Sequence, residues 1–165
     1  TFFVEEGDRS NFGVDVTGLI GQYAHGNEPS HHIAYLYNYV GHQEKCAERV
    51  RQILTELYFD DHSGVCGNED AGQMSAWYVL SAIGLYKVDP AAGEFQFGSP
   101  IVHKATLNVG GGKNFTVIAH NNTMENIYIQ DVKLNGKPHA GTSITYDQIK
   151  AGGTLEFTMG ATPVK

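Results

Sequence analysis

At Asp89-Pro90 the hydrophobic period of this chain changes, and that change constrains its architecture more than any other feature. Upstream, apolar residues recur at helical spacing. From Pro29, Ile33, Leu36, Tyr37 and Val40 fall at i, i+3, i+4 and i+7, which marks one face of a helix. Pro29 suits the first helical position, where its missing N–H is no loss, and Gly41 is placed to end the turn. A second helix is predicted over 43–58. It buries Cys46, Val50, Ile53, Leu54 and Leu57 and turns Glu44, Lys45, Glu48, Arg49 and Arg51 to solvent. A third is predicted over 70–85, where Met74, Trp77, Tyr78, Val79, Leu80, Ala82 and Ile83 leave almost no polar face. A helix apolar nearly all round is buried between neighbours. With only a short joint between them, the first two helices should pair antiparallel, so the expectation is a layered helical array.

Downstream the pattern becomes short, β-branched or aromatic runs: Phe95-Gln96-Phe97, Ala105 to Val109, Phe115 to Ala119, Ile127-Tyr128-Ile129 and Leu155 to Met159. Glycine and asparagine separate them, as strands require. Gly110-Gly111-Gly112 should close a hairpin, and Asn135-Gly136 is a two-residue turn signal. The expected class is α+β: a helical part over 1–90, then a small antiparallel β module over 91–165, with the boundary between residues 86 and 94. Residues 1–18 show no strong period and read as a lead-in loop.

Charge narrows the partners. The net charge is −7, and the acid excess lies wholly upstream: residues 1–90 hold five basic and thirteen acidic side chains, residues 91–165 six and five. Nucleic acid is therefore not the expected partner, since phosphate binding wants a basic face. No apolar run approaches a membrane span and no secretory signal opens the chain, though Thr1 reads as a cut rather than a natural start. Cys46 and Cys66 show no C-x-x-C spacing and no disulfide framework. Asn114-Phe115-Thr116 and Asn121-Asn122-Thr123 match the glycosylation sequon, a pattern that chance supplies readily.

Polar chemistry gathers in two segments, each just before a helix: Gln22 to His32 and Gly67 to Met74. Glu28 precedes Pro29, and Glu69 and Asp70 precede the third helix, where the dipole favours a carboxylate. A bland alternative is that these acids only cap their helices. Their company argues otherwise, because His25, Asn27, His31 and His32 flank Glu28 while Asn68 and Gln73 flank Asp70. Two carboxyls set at neighbouring helix ends could serve inverting glycoside hydrolysis, which places acid and base about 6.5–9.5 Å apart. The same oxygens suit calcium. Zinc competes through His25, Glu28 and His32, but Pro29 breaks any common helical face. Among Tyr23, Tyr35, Tyr37, Tyr39, Trp77 and Tyr78, most recur at core spacing and one or two could line a pocket.

These residues carry a resemblance. His25-Gly26-Asn27-Glu28-Pro29-Ser30-His31-His32, then Tyr35 to Tyr39, then Gly67-Asn68-Glu69-Asp70 with Gly72-Gln73-Met74-Ser75-Ala76-Trp77-Tyr78, resemble the signature of the calcium-dependent exo-α-mannosidases of glycoside hydrolase family 92. Asp15 to Tyr23 is similar to the family's lead-in, and Glu125 to Gln130 with Leu134-Asn135-Gly136 to its C-terminal β region. The resemblance covers nearly the whole chain. It implies the last helices of an (α/α)6 barrel followed by β structure, and inverting release of terminal α-linked mannose, leaning toward the α-1,2 bond. It further implies Ca2+ as cofactor, gripping the sugar's 2- and 3-hydroxyls.

By position, Asp70 matches the catalytic base; His25, Glu28 and Asn68 match substrate contacts; Asn27, Glu28 and Asp70 match metal-binding positions. Asn68 stands where some members have Asp. The family's acid, a Glu in an upstream Glu-Gly-Asn-x-x-Trp segment, has no counterpart before His25, and Glu5-Glu6-Gly7-Asp8 lacks the aromatic residues that should follow. The expected partners are mannose-containing glycans and the N-terminal part of the same protein, in an extracytoplasmic compartment of a bacterium. The alternative is a carbohydrate-binding or structural module that keeps the scaffold without the chemistry.

Overall fold

The computed structural model describes residues 2–6, 13 and 16–164. Half of the predicted lead-in, including Gly7, Asp8 and Asp15, lies outside the described residues.

A two-stranded ribbon opens the described chain: β1 (Leu19–Ile20) pairs antiparallel with β2 (Tyr23–Ala24). The expected helix from Pro29 is broken. It runs as a 3-10 turn at Glu28–Ser30, a second at Ile33–Tyr35 and a single α turn, α1 (Leu36–Tyr39). Gly41 then takes φ +76° and reverses the chain, a conformation that costs a residue without Cβ little. Helix α2 (Gln43–Glu56) follows and packs on α1. A further 3-10 turn at Asp70–Gly72 leads into α3 (Gln73–Ala82).

Two expectations for these helices need correction. Arg51 faces inward rather than to solvent, with 5% of its surface exposed. Its guanidinium donates to Ser99 Oγ (3.2 Å), Pro100 O (2.6 Å), Thr123 O (2.9 Å) and Asn122 Oδ1 (3.1 Å). Four acceptors from the downstream half can hold a buried cation that solvent would otherwise hydrate. Helix α3 is buried on one side only: Met74, Trp77, Ser81 and Ala82 are interior, whereas Val79 is exposed. Among the described residues nothing covers that apolar outer face.

Downstream, β3 (Leu85–Tyr86), β4 (Glu94–Phe97) and β9 (Ser143–Thr145) form a three-stranded antiparallel sheet in that order. A five-stranded sheet orders β5 (Lys104–Gly110), β6 (Lys113–His120), β10 (Gly153–Gly160), β7 (Tyr128–Leu134) and β8 (Lys137–Pro138). The β5–β6 turn is made by the expected glycines, all at positive φ, and Asn135-Gly136 closes β7–β8 with φ of 52° and 75°, as a type I′ turn requires.

The sheet is not purely antiparallel, however. β10 lies parallel to β6, with Leu155 opposite Val117, because the chain crosses through β7, β8, β9 and the short helix α4 (Tyr146–Lys150) before returning. Helix α4 was not expected. Its capping box is in the sequence, with Gln148 N–H donating to Thr145 Oγ1 and Thr145 N–H to Gln148 Oε1.

Two hydrophobic cores result. Tyr23, Tyr35, Val50, Ile53 and Trp77 fill the helical one; Phe97, Phe115, Ile144, Leu155 and Phe157 fill the other, and Val102 packs against both. Both cysteines are free, Cys46 buried and Cys66 half-buried.

Candidate active site

The two polar segments meet because glycine lets their backbones touch. A Cβ on Gly67 would sit 2.8 Å from Gly26 Cα, and one on Gly26 would sit 2.8 Å from Cys66 O. Thr17 Oγ1 donates to Cys66 O beside this contact. Backbone bonds from His25 N to Gly18 O (3.0 Å) and Gly26 N to Thr17 O (3.1 Å) hold the first segment in place. Side chains at either glycine would wedge the segments apart, so a few methyl groups' worth of missing bulk sets the geometry of everything that follows.

Asp70 and Glu28 are brought together. Hydrogen bonding from the Glu28 side chain, with slight desolvation and Glu28's charge, raises Asp70 above the usual carboxylate range. Asp70 itself is exposed and Glu28 half-buried. The backbone there is left-handed over three residues: Asp70 (φ 47°), Ala71 (φ 57°) and Gly72 (φ 101°). For Ala71 this conformation costs about 1–2 kcal/mol, and such strain gathers where a side chain must be aimed. Asp70 is not the helix cap. That task falls to Glu69, whose Oε1 accepts the N–H of Ser75 at 3.2 Å. Asn27 and Asn68 are exposed beside the pair in sequence.

His25 lies elsewhere. Its ring is fully buried, with both nitrogens used inside the chain. Tyr58 O–H donates to Met74 O (3.1 Å), so the Tyr58 oxygen accepts His25 Nε2–H (2.7 Å), and His25 Nδ1 accepts from Tyr23 O–H (2.7 Å). The network thereby assigns the neutral Nε2–H tautomer. Desolvation, reinforced by neighbouring His31, lowers its pKa to about 3. The ring meets Trp77 edge-on at 4.4 Å and stacks on His31 at 4.5 Å. It supports the site from within rather than facing it.

His31 and Gln73 stood beside the motifs in sequence with no evident task. In the structure His31 Nε2–H donates to His25 O (2.9 Å), its Nδ1 accepts from Gln73 Nε2 (3.2 Å), and its carbonyl accepts Trp77 Nε1–H (3.0 Å). Burial lowers the His31 pKa and keeps this ring neutral as well. Of the aromatic candidates, Tyr23, Tyr35 and Trp77 are core residues, Tyr37 and Tyr78 are half-buried, and Tyr39 is exposed.

Near the carboxyl pair the sequence offers oxygen donors: two carboxylates and the amides of Asn27 and Asn68. A hard cation such as calcium fits that chemistry. Zinc fits less well, because both ring nitrogens of His25, one of its three expected ligands with Glu28 and His32, are already engaged. Among the described residues no group of three or more His, Cys, Asp or Glu side chains could hold a metal. A cation here would complete its shell with amides, backbone carbonyls and water.

Carboxyls that interact directly stand closer than the acid and base of inverting hydrolysis, about 6.5–9.5 Å apart, so this pair can supply the base and not both partners. Comparison with known proteins gives the family: the profile of the glycosyl hydrolase family 92 catalytic domain matches residues 1–161, and the chain belongs to that family. It is similar to a family 92 α-mannosidase from Bacteroides thetaiotaomicron, with 39% identity, a TM-score of 0.91, and coverage of 99% of this chain and 22% of that one. The complex of that mannosidase with mannoimidazole matches at 41% identity and a TM-score of 0.87, over 91% of this chain and 20% of that one. An inverting mannosidase of the family from Bacteroides thetaiotaomicron VPI-5482 is 44% identical, with a TM-score of 0.81, over 87% of this chain and 19% of that one. An uncharacterized secreted glycosidase of Arthroderma benhamiae is 33% identical over 138 residues, 82% of this chain and 18% of that protein. The chain thus spans about a fifth of the length of these relatives.

Proposed function

We propose that this chain is part of an inverting, calcium-dependent exo-α-mannosidase that removes terminal, α-1,2-linked mannose from N-glycan-type mannosides. The carrying observation is the Glu28–Asp70 carboxyl pair. In this reading Asp70 is the general base, taking a proton from the water that attacks the anomeric carbon. Glu28 raises the proton affinity of Asp70, which makes it a stronger base near working pH. Asn27, Glu28 and Asp70 would hold Ca2+, and Asn68 and Glu28 would contact the sugar. Bound there, the cation would supply positive charge to grip and polarise sugar hydroxyls. His25 acts from beneath by fixing the loop that bears Glu28. The general acid comes from another part of the protein.

Residues 1–90 are, on this reading, the last helices of an (α/α)6 barrel, and 91–165 the β subdomain behind it. The exposed apolar side chains Phe59 and Val79 then pack against the remainder of the catalytic domain, since a patch left open to water invites association. No helix of the described residues is long and apolar enough to cross a membrane. With a secreted relative, an extracytoplasmic bacterial location fits the reading.

The test is full-length protein assayed against α-1,2-, α-1,3-, α-1,4- and α-1,6-mannobiose, with and without chelator. Mannose release of inverted configuration, fastest on the α-1,2 substrate and lost on chelation, is the expected result. Binding of mannosides without hydrolysis, unchanged by Asp70→Asn, would establish a non-catalytic carbohydrate-binding module instead.

A further inference from the structure

The two carboxyl residues and the two residues that join their segments are related by the same offset. Glu28 and Asp70 each open a 3-10 turn, and His31 and Gln73 each close one. His31 N–H donates to Glu28 O, and Gln73 N–H donates to Asp70 O. On the 3-10 turn from Glu28 to His31, side chains three apart lie one above the other; from Asp70 to Gln73 the left-handed backbone sets the aim of both side chains instead. Three residues beyond each carboxyl residue, Gln73 Nε2 donates to His31 Nδ1 at 3.2 Å and ties the two segments together. The two turns and this cross-bond brace the segments that carry the carboxyls. The brace is anchored: His31 is 1% exposed, donates to His25 O and accepts from Trp77 Nε1. Every polar atom of His31 named here reaches either the loop that bears Glu28 or the helix that follows Asp70.

We propose that His31 and Gln73 are positioning residues, a strut that sets the separation and mutual aim of the Glu28 and Asp70 carboxyl groups. The inference deepens the hydrolase reading and rests on it. Inverting hydrolysis leaves room for one water between base and sugar, and a misplacement of the base Asp70 by about 1 Å can cost a hundredfold in rate. Neither side chain needs to touch substrate for this. The Nδ1 of neutral His31 is an acceptor, which the Gln73 amide N–H satisfies.

The experiment uses full-length protein with saturating calcium and three variants: His31→Phe, Gln73→Met and the double. Gln73 is half-buried at the start of α3, so Gln73→Met keeps the test open should His31→Phe fail to fold; thermal melts check each. The expected result is a fall in kcat of about 10- to 100-fold for each single variant. KM should stay within about threefold, and the double variant should be no slower than the slower single, because both remove one bond. The proposal is overturned by a kcat within threefold of wild type for folded Gln73→Met. It is equally overturned by a loss confined to KM, or by losses that multiply in the double variant. Wild-type protein that releases no mannose defeats the hydrolase reading itself and the strut with it, an outcome distinct from active wild type beside unimpaired variants.

Discussion

Asp70 is raised above the usual carboxylate range by the Glu28 carboxyl group, although the two residues belong to separate segments joined through α1 and α2. The pair carries opposite requirements for proton and charge. Asp70 must be ionised to act as a base, and Glu28 opposes that ionisation. In full-length protein Asp70→Asn should lower kcat by about a thousandfold while leaving mannoside binding measurable by calorimetry. Glu28→Gln removes the opposing charge and offers an amide donor in its place, so Asp70 ionises more readily. The acid limb of the kcat/KM profile should then move to lower pH, and a limb that stays or rises would refute the coupling.

The Gly26–Gly67 contact makes a sharper steric test. Gly67 needs no left-handed backbone, so Gly67→Ala isolates the clash with Gly26 Cα. Forcing a methyl into a packed contact costs about 1–3 kcal/mol. Denaturant unfolding should show that loss, and mannosidase activity should fall further than stability alone accounts for, because the carboxyl pair is pushed apart. An alanine variant with wild-type activity would show that the contact does not set the site.

Much of this architecture is legible in local sequence, and the limits are physical. Asn135-Gly136 and Gly110-Gly111-Gly112 announce turns because few other residues tolerate positive φ there. Thr145 and Gln148 announce α4 just as plainly, through a capping box. The parallel pairing of β6 with β10 carries no local signal; it follows from packing Val117, Leu155 and Phe157 into one core. The left-handed turn at Asp70 and Ala71 is also invisible, since Ala71 has no preference for it and tertiary contacts impose it. Sequence placed Glu28 and Asp70 beside the right kinds of neighbours. It could not show that His25 faces inward or that His31 meets Gln73, because both facts depend on which way a ring turns.

Arg51 shows the same limit, and its burial is testable. Spacing put it among the charged residues of α2, yet it joins α2 to the loops holding Ser99, Pro100, Asn122 and Thr123. Lysine keeps the charge but not the planar fork, so several acceptors lose their donor. Arg51→Lys should destabilise by about 2 kcal/mol, read as a lower urea midpoint with unchanged slope. A change under about 0.5 kcal/mol, the scale of surface substitutions, would mean the guanidinium network contributes little.

The buried imidazoles predict how stability depends on pH. Desolvation lowers His25 from 6.5 to about 3 in the folded protein, and His31 shifts in the same direction. Between these values the unfolded chain binds more protons than the folded one, so stability falls as pH drops through 6.5 and keeps falling toward 3. Above 6.5 both states hold neutral rings and this contribution is flat. The slope for one such histidine is about 1.4 kcal/mol per pH unit where the unfolded ring is charged and the folded ring is not. Melting temperature should therefore drop between pH 7 and pH 5. In His25→Phe the melt should start lower, because Tyr23 and Tyr58 lose a hydrogen-bond partner, but its dependence on pH over that interval should be shallower. Equal slopes for the two proteins would mean that His25 charges in the folded state and that the Tyr23–His25–Tyr58 chain does not hold it neutral.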